Sequence, residues 1–144
     1  MSVSSNYLIT QPKNGALGSY SLSQLPAVTT AIPDGVNTLV FTQILPFGCY
    51  SGSFETVFTG GATTDIARFT VLILTADGTI VVRSQVLTDV TLPDANQNYI
   101  SVPINFNVNT PTATTLSFYL FADYTGTAIS VPANLGFLRL TKIL

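Results

Sequence analysis

An all-β sandwich is the fold class the sequence predicts, and three observations predict it. Thr, Val, Ile, Phe and Tyr dominate the chain, and β-branched and aromatic residues fit a pleated surface better than a helix. Gly and Pro recur at roughly the 8–12-residue spacing of turns in a sandwich or barrel. No stretch sets apolar residues at i, i+3, i+4 and i+7 between helix caps. Only Ser19–Leu25 has the makings of a single helical turn.

Residues 1–26 read as an N-terminal arm, in which Pro12, Asn14-Gly15, Gly18 and Pro26 interrupt scattered apolar residues. Residues 27–144 read as one domain, a length that a single core serves. Strands are expected at Ala27–Ile32, Val36–Leu45, Cys49–Phe58, Ile66–Thr75, Thr79–Val90, Asn98–Val108, Thr114–Tyr124 and Gly136–Leu144, with a short extra run at Ala128–Val131. Asp34-Gly35 and Asp77-Gly78 are turn dipeptides with a mechanism, because both residue types tolerate positive φ and Asp bonds its own downstream backbone. The second is the strongest hairpin signal in the chain.

Alternation assigns the faces. In Tyr99–Val108 the apolar set Ile100, Val102, Ile104, Phe106 and Val108 alternates with Ser101, Pro103, Asn105 and Asn107, so one face packs and the other is wet. Thr114–Tyr124 differs. Leu116, Phe118, Leu120 and Ala122 share one face, while Tyr119 and Phe121 stand on the other beside Ser117 and Asp123. Phe69, Val71 and Ile73 likewise oppose Leu72 and Leu74, and Leu39 and Phe41 oppose Val40 and Ile44. Strands apolar on both faces need cover beyond their own core, and a second subunit is the natural source.

Composition removes several function classes. The 144 residues are 47% hydrophobic and only 8% charged, with net charge −2, no His and no Trp, and the mean hydropathy is +0.46. Disorder requires the reverse balance. Five basic residues, Lys13, Arg68, Arg83, Arg139 and Lys142, leave no row of cations for phosphates, which argues against nucleic acid as a partner. The richest apolar stretch, Phe69–Leu74, is strand-sized, so no membrane-spanning helix is expected. Polarity comes instead from 21 Thr, 12 Ser, 9 Asn and 5 Gln. The first residues lack the basic and apolar regions of a secretory signal.

Catalytic chemistry has little to work with. Without His, the commonest general base, the commonest zinc ligand and every Ser-His or Cys-His pair are missing. Cys49 has no basic neighbour in sequence and reads as a packed, inert thiol. No phosphate-binding glycine motif is present. Of seven carboxylates, Asp34, Glu55, Asp65, Asp77, Asp89, Asp94 and Asp123, five sit at turns or strand ends, where local hydrogen bonding is their ordinary role. Asp89, Asp94 and Asn96–Asn98 could offer oxygens to calcium but lack the spacing of a preorganised loop. No enzyme activity, cofactor or metal is expected. Asp65, Arg68 and Arg83 read as an ion-pair group within the sheet or at a subunit boundary. Tyr20, Tyr50, Tyr99 and Tyr124 read as interface residues rather than sugar-stacking platforms.

Eight strands in this arrangement resemble a jelly roll of two antiparallel sheets. Leu135–Leu144 is similar to the closing strand of the tumour necrosis factor and complement-globular-head superfamily, and Gly48-Cys-Tyr-Ser-Gly-Ser-Phe54 resembles its Gly-x-Tyr-x-x-x-Phe opening of a central strand. The resemblance covers residues 27–144. The chain departs from the pattern in lacking a collagen-like repeat and an aromatic-rich first strand. The resemblance implies a trimer built through apolar sheet faces, with Tyr119, Phe121 and Phe137 at the subunit interface.

The function expected is therefore a non-enzymatic viral structural protein, a capsid, spike or fibre-head subunit assembled in the host cytoplasm into a virion. Its partners would be its own copies, other capsid proteins, or a host receptor or glycan met by loops carrying Thr63, Thr64, Asp65, Asp94, Asn96 and Asn98. A carbohydrate-binding module, or an adhesin or spore-surface head, is the alternative, and a secreted glycan hydrolase the third.

Overall fold

The computed structural model describes residues 20–60, 63–92 and 99–144. They form ten strands: β1 (Tyr20–Leu25), β2 (Thr30–Ile32), β3 (Thr38–Leu45), β4 (Gly48–Thr59), β5 (Asp65–Leu74), β6 (Ile80–Thr91), β7 (Tyr99–Thr110), β8 (Thr114–Thr125), β9 (Ile129–Val131) and β10 (Gly136–Lys142). The first sheet runs β1-β10-β4-β7, with the short pair β9 and β2 joined to the far end of β4. The second runs β3-β8-β5-β6. All the strand pairs are antiparallel. The chain changes sheet at every step from β2 to β9 except between β5 and β6, and this alternation is the jelly-roll order.

Every strand expected from sequence is present with its ends moved by a few residues. One was not expected. Tyr20–Leu25, the last part of the arm and the one segment read as a helical turn, is strand β1, paired with β10 from Tyr20↔Thr141 to Leu25↔Gly136. Its residues carry little β-propensity, and the open backbone of β10 together with complete burial of Leu25 decides the matter. Residues 1–19 of the arm lie outside the described residues.

Inward faces follow the alternation. β8 buries Leu116, Phe118, Leu120 and Ala122 completely, and β7 buries Val102, Ile104, Phe106 and Val108. β4 alternates without a break, and its Tyr50, Phe54 and Phe58 all enter the core. Rings join the two sheets: Phe54 of β4 lies 4.9 Å from Phe118 of β8, and Phe58 of β4 stacks on Phe69 of β5 at 4.5 Å and 12°. Gly52 makes room for this, because a Cβ there would overlap the Phe106 ring.

One face differs from the sequence reading. A bulge between Leu39 and Phe41 breaks the alternation of β3. Phe41 therefore turns inward, 5.9 Å from Phe118, while Leu39 stays 46% exposed on the outer face. An extra residue in one strand shifts every side chain beyond it to the other face.

The β5–β6 hairpin closes as expected. Gly78 has φ 86°, its N–H donates to Thr75 O at 3.0 Å, and Thr79 N–H donates to Thr75's partner in the turn, Asp77 Oδ1, at 3.0 Å. Thr75 Oγ1 also donates to Asp77 Oδ1. These bonds, the Thr75 hydroxyl first, hold the Asp77 carboxyl down from 3.8 to about 2. A lowered folded-state value means that the ionised form is favoured by folding. The stabilisation is present above the ordinary carboxylate range and disappears as pH falls through about 2.

Asp77→Asn should therefore be least stable relative to the wild type near neutral pH, with the difference shrinking as pH falls from about 4 towards 2, read by thermal unfolding across that range. A second prediction concerns Thr56, whose side chain is fully buried on β4 and whose Oγ1 has no hydrogen-bond partner among the described residues. Thr56→Val keeps the shape and removes an unpaired hydroxyl. It should raise stability by about 1 kcal/mol in denaturant melts.

Candidate functional site: the outer face of the second sheet

The two outer faces of the sandwich differ in chemistry. On the first sheet, the β4–β7 register sets Cys49 beside Asn109, Ser51 beside Asn107 and Ser53 beside Asn105, a field of hydroxyls and amides. On the second, the register lines up Leu39 of β3, Tyr119 of β8, Leu72 of β5 and Arg83 of β6 across all four strands. Phe121 follows two residues along, opposite Thr70, with Gln85 beyond it. Leu72 points away from the core yet is only 8% exposed, and Tyr119 and Phe121 are half-buried. The face is apolar at its centre without any help from a partner.

Basic groups border it. Arg68 sits over the Phe121 ring, 5.1 Å from its centroid, and its Nε lies 3.7 Å from Asp123 Oδ2. Asn37, Arg68, Thr70, Leu72, Arg83, Gln85 and Phe121 line an open hollow of about 420 Å³. The ion-pair group expected from sequence is thus rearranged. A register shift between Ile66 and Arg68 brings Arg68 opposite Asp123, Asp65 instead accepts a bond from Thr91 Oγ1 at 2.7 Å, and Arg83 stands across from Leu72.

The other expected site residues fall as follows. Phe137 lies on β10, beneath the guanidinium of Arg139 at 4.8 Å from the ring centroid. It belongs to the outer face of the first sheet, on the opposite side of the sandwich from Tyr119 and Phe121, so one flat contact cannot use all three. Thr63 is exposed, with its hydroxyl 2.8 Å from that of Thr127. Thr64 is buried and donates to Thr127 O at 2.7 Å, which leaves Thr63 and Asp65 to meet solvent in that loop. Asp94, Asn96 and Asn98 lie outside the described residues.

Two tyrosines expected at an interface belong to the core. Tyr50 is 5% exposed and donates to Pro46 O at 3.0 Å. Tyr124 is 9% exposed and donates to Ile32 O at 2.9 Å. The side chains of Tyr20 and Tyr99 lie outside what is described. Cys49, expected in the core, is half-buried on an outward position and donates to Asn109 Oδ1 at 3.4 Å.

Asp65, Asp89 and Asp123 line a shallow hollow of about 280 Å³ at one end of the second sheet. Among the described residues no group of three or more His, Cys, Asp or Glu is placed to hold a metal ion. No helix among them is long and apolar enough to cross a membrane.

A jelly-roll sandwich with an apolar cluster on the outer face of its second sheet is the class that the fold and the site define. No family model matches the chain, and no curated protein matches it. Solved structures do. The infectious bursal disease virus Gx strain structure superposes with TM-score 0.57 at 18% identity, over 88% of this chain and 34% of that one. A mutant VP2 protein of the same virus, in derived T=1 particles, gives 0.55 at 17% identity, over 85% and 32%. This chain spans about a third of the length of those structures, and at such identities the likeness is one of fold. An Eiger tumour necrosis factor from S. frugiperda aligns over 89% of both chains at 14% identity, with TM-score 0.42.

The hydroxyl of Tyr124 serves the core, so Tyr124→Phe should lower stability by about 1 kcal/mol and leave the oligomeric mass unchanged. Denaturant melts and light scattering together check both halves.

Proposed function

We propose that the chain is a non-enzymatic structural subunit of a virion, a capsid, spike or fibre-head component assembled in the host cytoplasm. It would form a homotrimer through the outer face of the second sheet. The observation that carries this reading is the contrast between the middles of the faces: Leu39, Tyr119, Leu72 and Phe121 share one of them, while paired Ser and Asn line the β4–β7 stretch of the other. Water wets the Ser and Asn rows readily. The apolar face gains about 25 cal/mol for each Å² that remains exposed on Leu39, Tyr119 and Phe121 and is buried by a partner, and a threefold contact repeats that gain in every subunit. The likeness of fold to proteins of infectious bursal disease virus particles supports a virion role. The trimeric order rests on the superfamily resemblance.

Within this reading the seam runs along β3 and β8, where Leu39 and Tyr119 are paired neighbours. Phe121 lies at its border. Phe137, on the opposite face, takes no part in this contact. Other capsid proteins, or a host receptor or glycan, would meet the loops at the sandwich ends.

Light scattering on the full chain at micromolar concentration should return about three times the 15.3 kDa subunit mass. A stable monomer overturns the reading. Phe121→Asp puts a charge at the border of the seam and should reduce the particle to monomers, while an unchanged oligomer would remove Phe121 from the contact. Binding on a glycan array by a protein that stays monomeric would instead favour a carbohydrate-binding module or an adhesin or spore-surface head.

A further inference from the structure

Arg83 is out of keeping with the face it borders. Arg68 is held twice, by Asp123 and by the Phe121 ring, but Arg83 has no ion pair or hydrogen bond among the described residues. Both guanidinium groups line the 420 Å³ hollow, together with the amides of Asn37 and Gln85 and the apolar surfaces of Leu72 and Phe121. No carboxylate lines it. Two of the five basic residues of a chain with net charge −2 therefore converge on one concavity, and among the described residues only Arg68 has a counter-ion there, Asp123 beyond the lining.

A guanidinium presents a planar fork of N–H donors that matches a carboxylate, and it is more weakly hydrated than an ammonium group. Stacking on Phe121 presets the position of Arg68 before any ligand arrives, which lowers the ordering cost of binding. The hollow falls near the small end of the range of roughly 300–1,000 Å³ for ligand pockets. It has polar donors at several points and an apolar surface between them.

We propose that this hollow binds a small carboxylate-bearing ligand. Arg83 supplies the fork that meets the carboxylate, and Arg68 adds a second positive charge. Asn37 and Gln85 donate from their amides, and Leu72 and Phe121 receive the ligand's body. The hollow shares Leu72 and Phe121 with the proposed assembly face, but Arg83, the group that carries the inference, stands on β6, away from the β3–β8 seam, so the inference goes beyond the proposed function and does not depend on it.

The test is an NMR titration of the full chain with benzoate and, separately, with benzamide, which has the same ring and nearly the same volume but no charge. Benzoate should bind at least about tenfold more tightly than benzamide, and added salt should weaken it. Arg83→Gln should bring benzoate down to the benzamide level, and Arg83→Lys, which keeps the charge and loses the fork, should fall between. Equal binding of the two probes, benzoate binding unaffected by Arg83→Gln, or no benzoate binding overturns the proposal. Light scattering on the same samples separates the two readings: a monomer that binds benzoate defeats assembly alone, and a trimer indifferent to benzoate defeats the ligand site alone.

Discussion

Phe118 stands at the middle of β8 and meets rings from three other strands: Phe54 of β4 at 4.9 Å, Phe41 of β3 at 5.9 Å and Phe106 of β7 at 6.1 Å. Two of those rings belong to the facing sheet. Hydrogen bonds run within each sheet, so it is these side chains, together with the Phe58–Phe69 stack, that hold the layers about 10 Å apart and in register with one another. Strand geometry then carries the consequence outward. With Phe118 and Leu120 committed to the core, the pleat leaves Tyr119 and Phe121 no position except the outer face.

The surface chemistry follows from the same constraint. A sandwich of this size has two broad outer faces, and only 8% of its residues are charged. Hydroxyls and amides line the β4–β7 stretch of one face, whereas the centre of the other retains Leu, Tyr and Phe bordered by Arg68 and Arg83. Contiguous apolar surface bounded by polar groups is the usual mark of an interaction site. The bulge in β3 trims that surface, since it takes Phe41 into the core and leaves Leu39 outward beside Tyr119.

Much of this was legible in the sequence. Period-2 alternation identified β7, β8 and the core of β5, because each has one face buried and a register slip would expose it. The Asp77-Gly78 turn was legible for a local reason, the Asp side chain bonding the next turn of backbone. What was not legible depends on partners far away in the chain. β1 exists because β10 has a free edge. Phe41 faces inward because of a bulge that no alternation rule foresees. Arg68 chose Asp123 over Asp65 because a register shift decides which strand residues stand opposite. Phe137 and Phe121 looked alike as out-facing aromatics, and only the sheet order shows that they lie on opposite sides of the molecule. Tyr50 and Tyr124 were misplaced because a ring with a polar end suits an interface and a core equally well until its hydroxyl finds a backbone carbonyl.

The Ser and Asn rows of the first sheet carry a further consequence. Amides and hydroxyls neither gain nor lose protons in ordinary aqueous conditions, and they hold no counter-ion atmosphere for dissolved salt to compress. The hydration of Ser51, Ser53, Asn105 and Asn107 is therefore the same in acid or neutral surroundings and in dilute or concentrated salt. Glu55 and Arg139 bring charge to the edge of these rows, but along the rows themselves bound water, not mutual repulsion, keeps one copy from another.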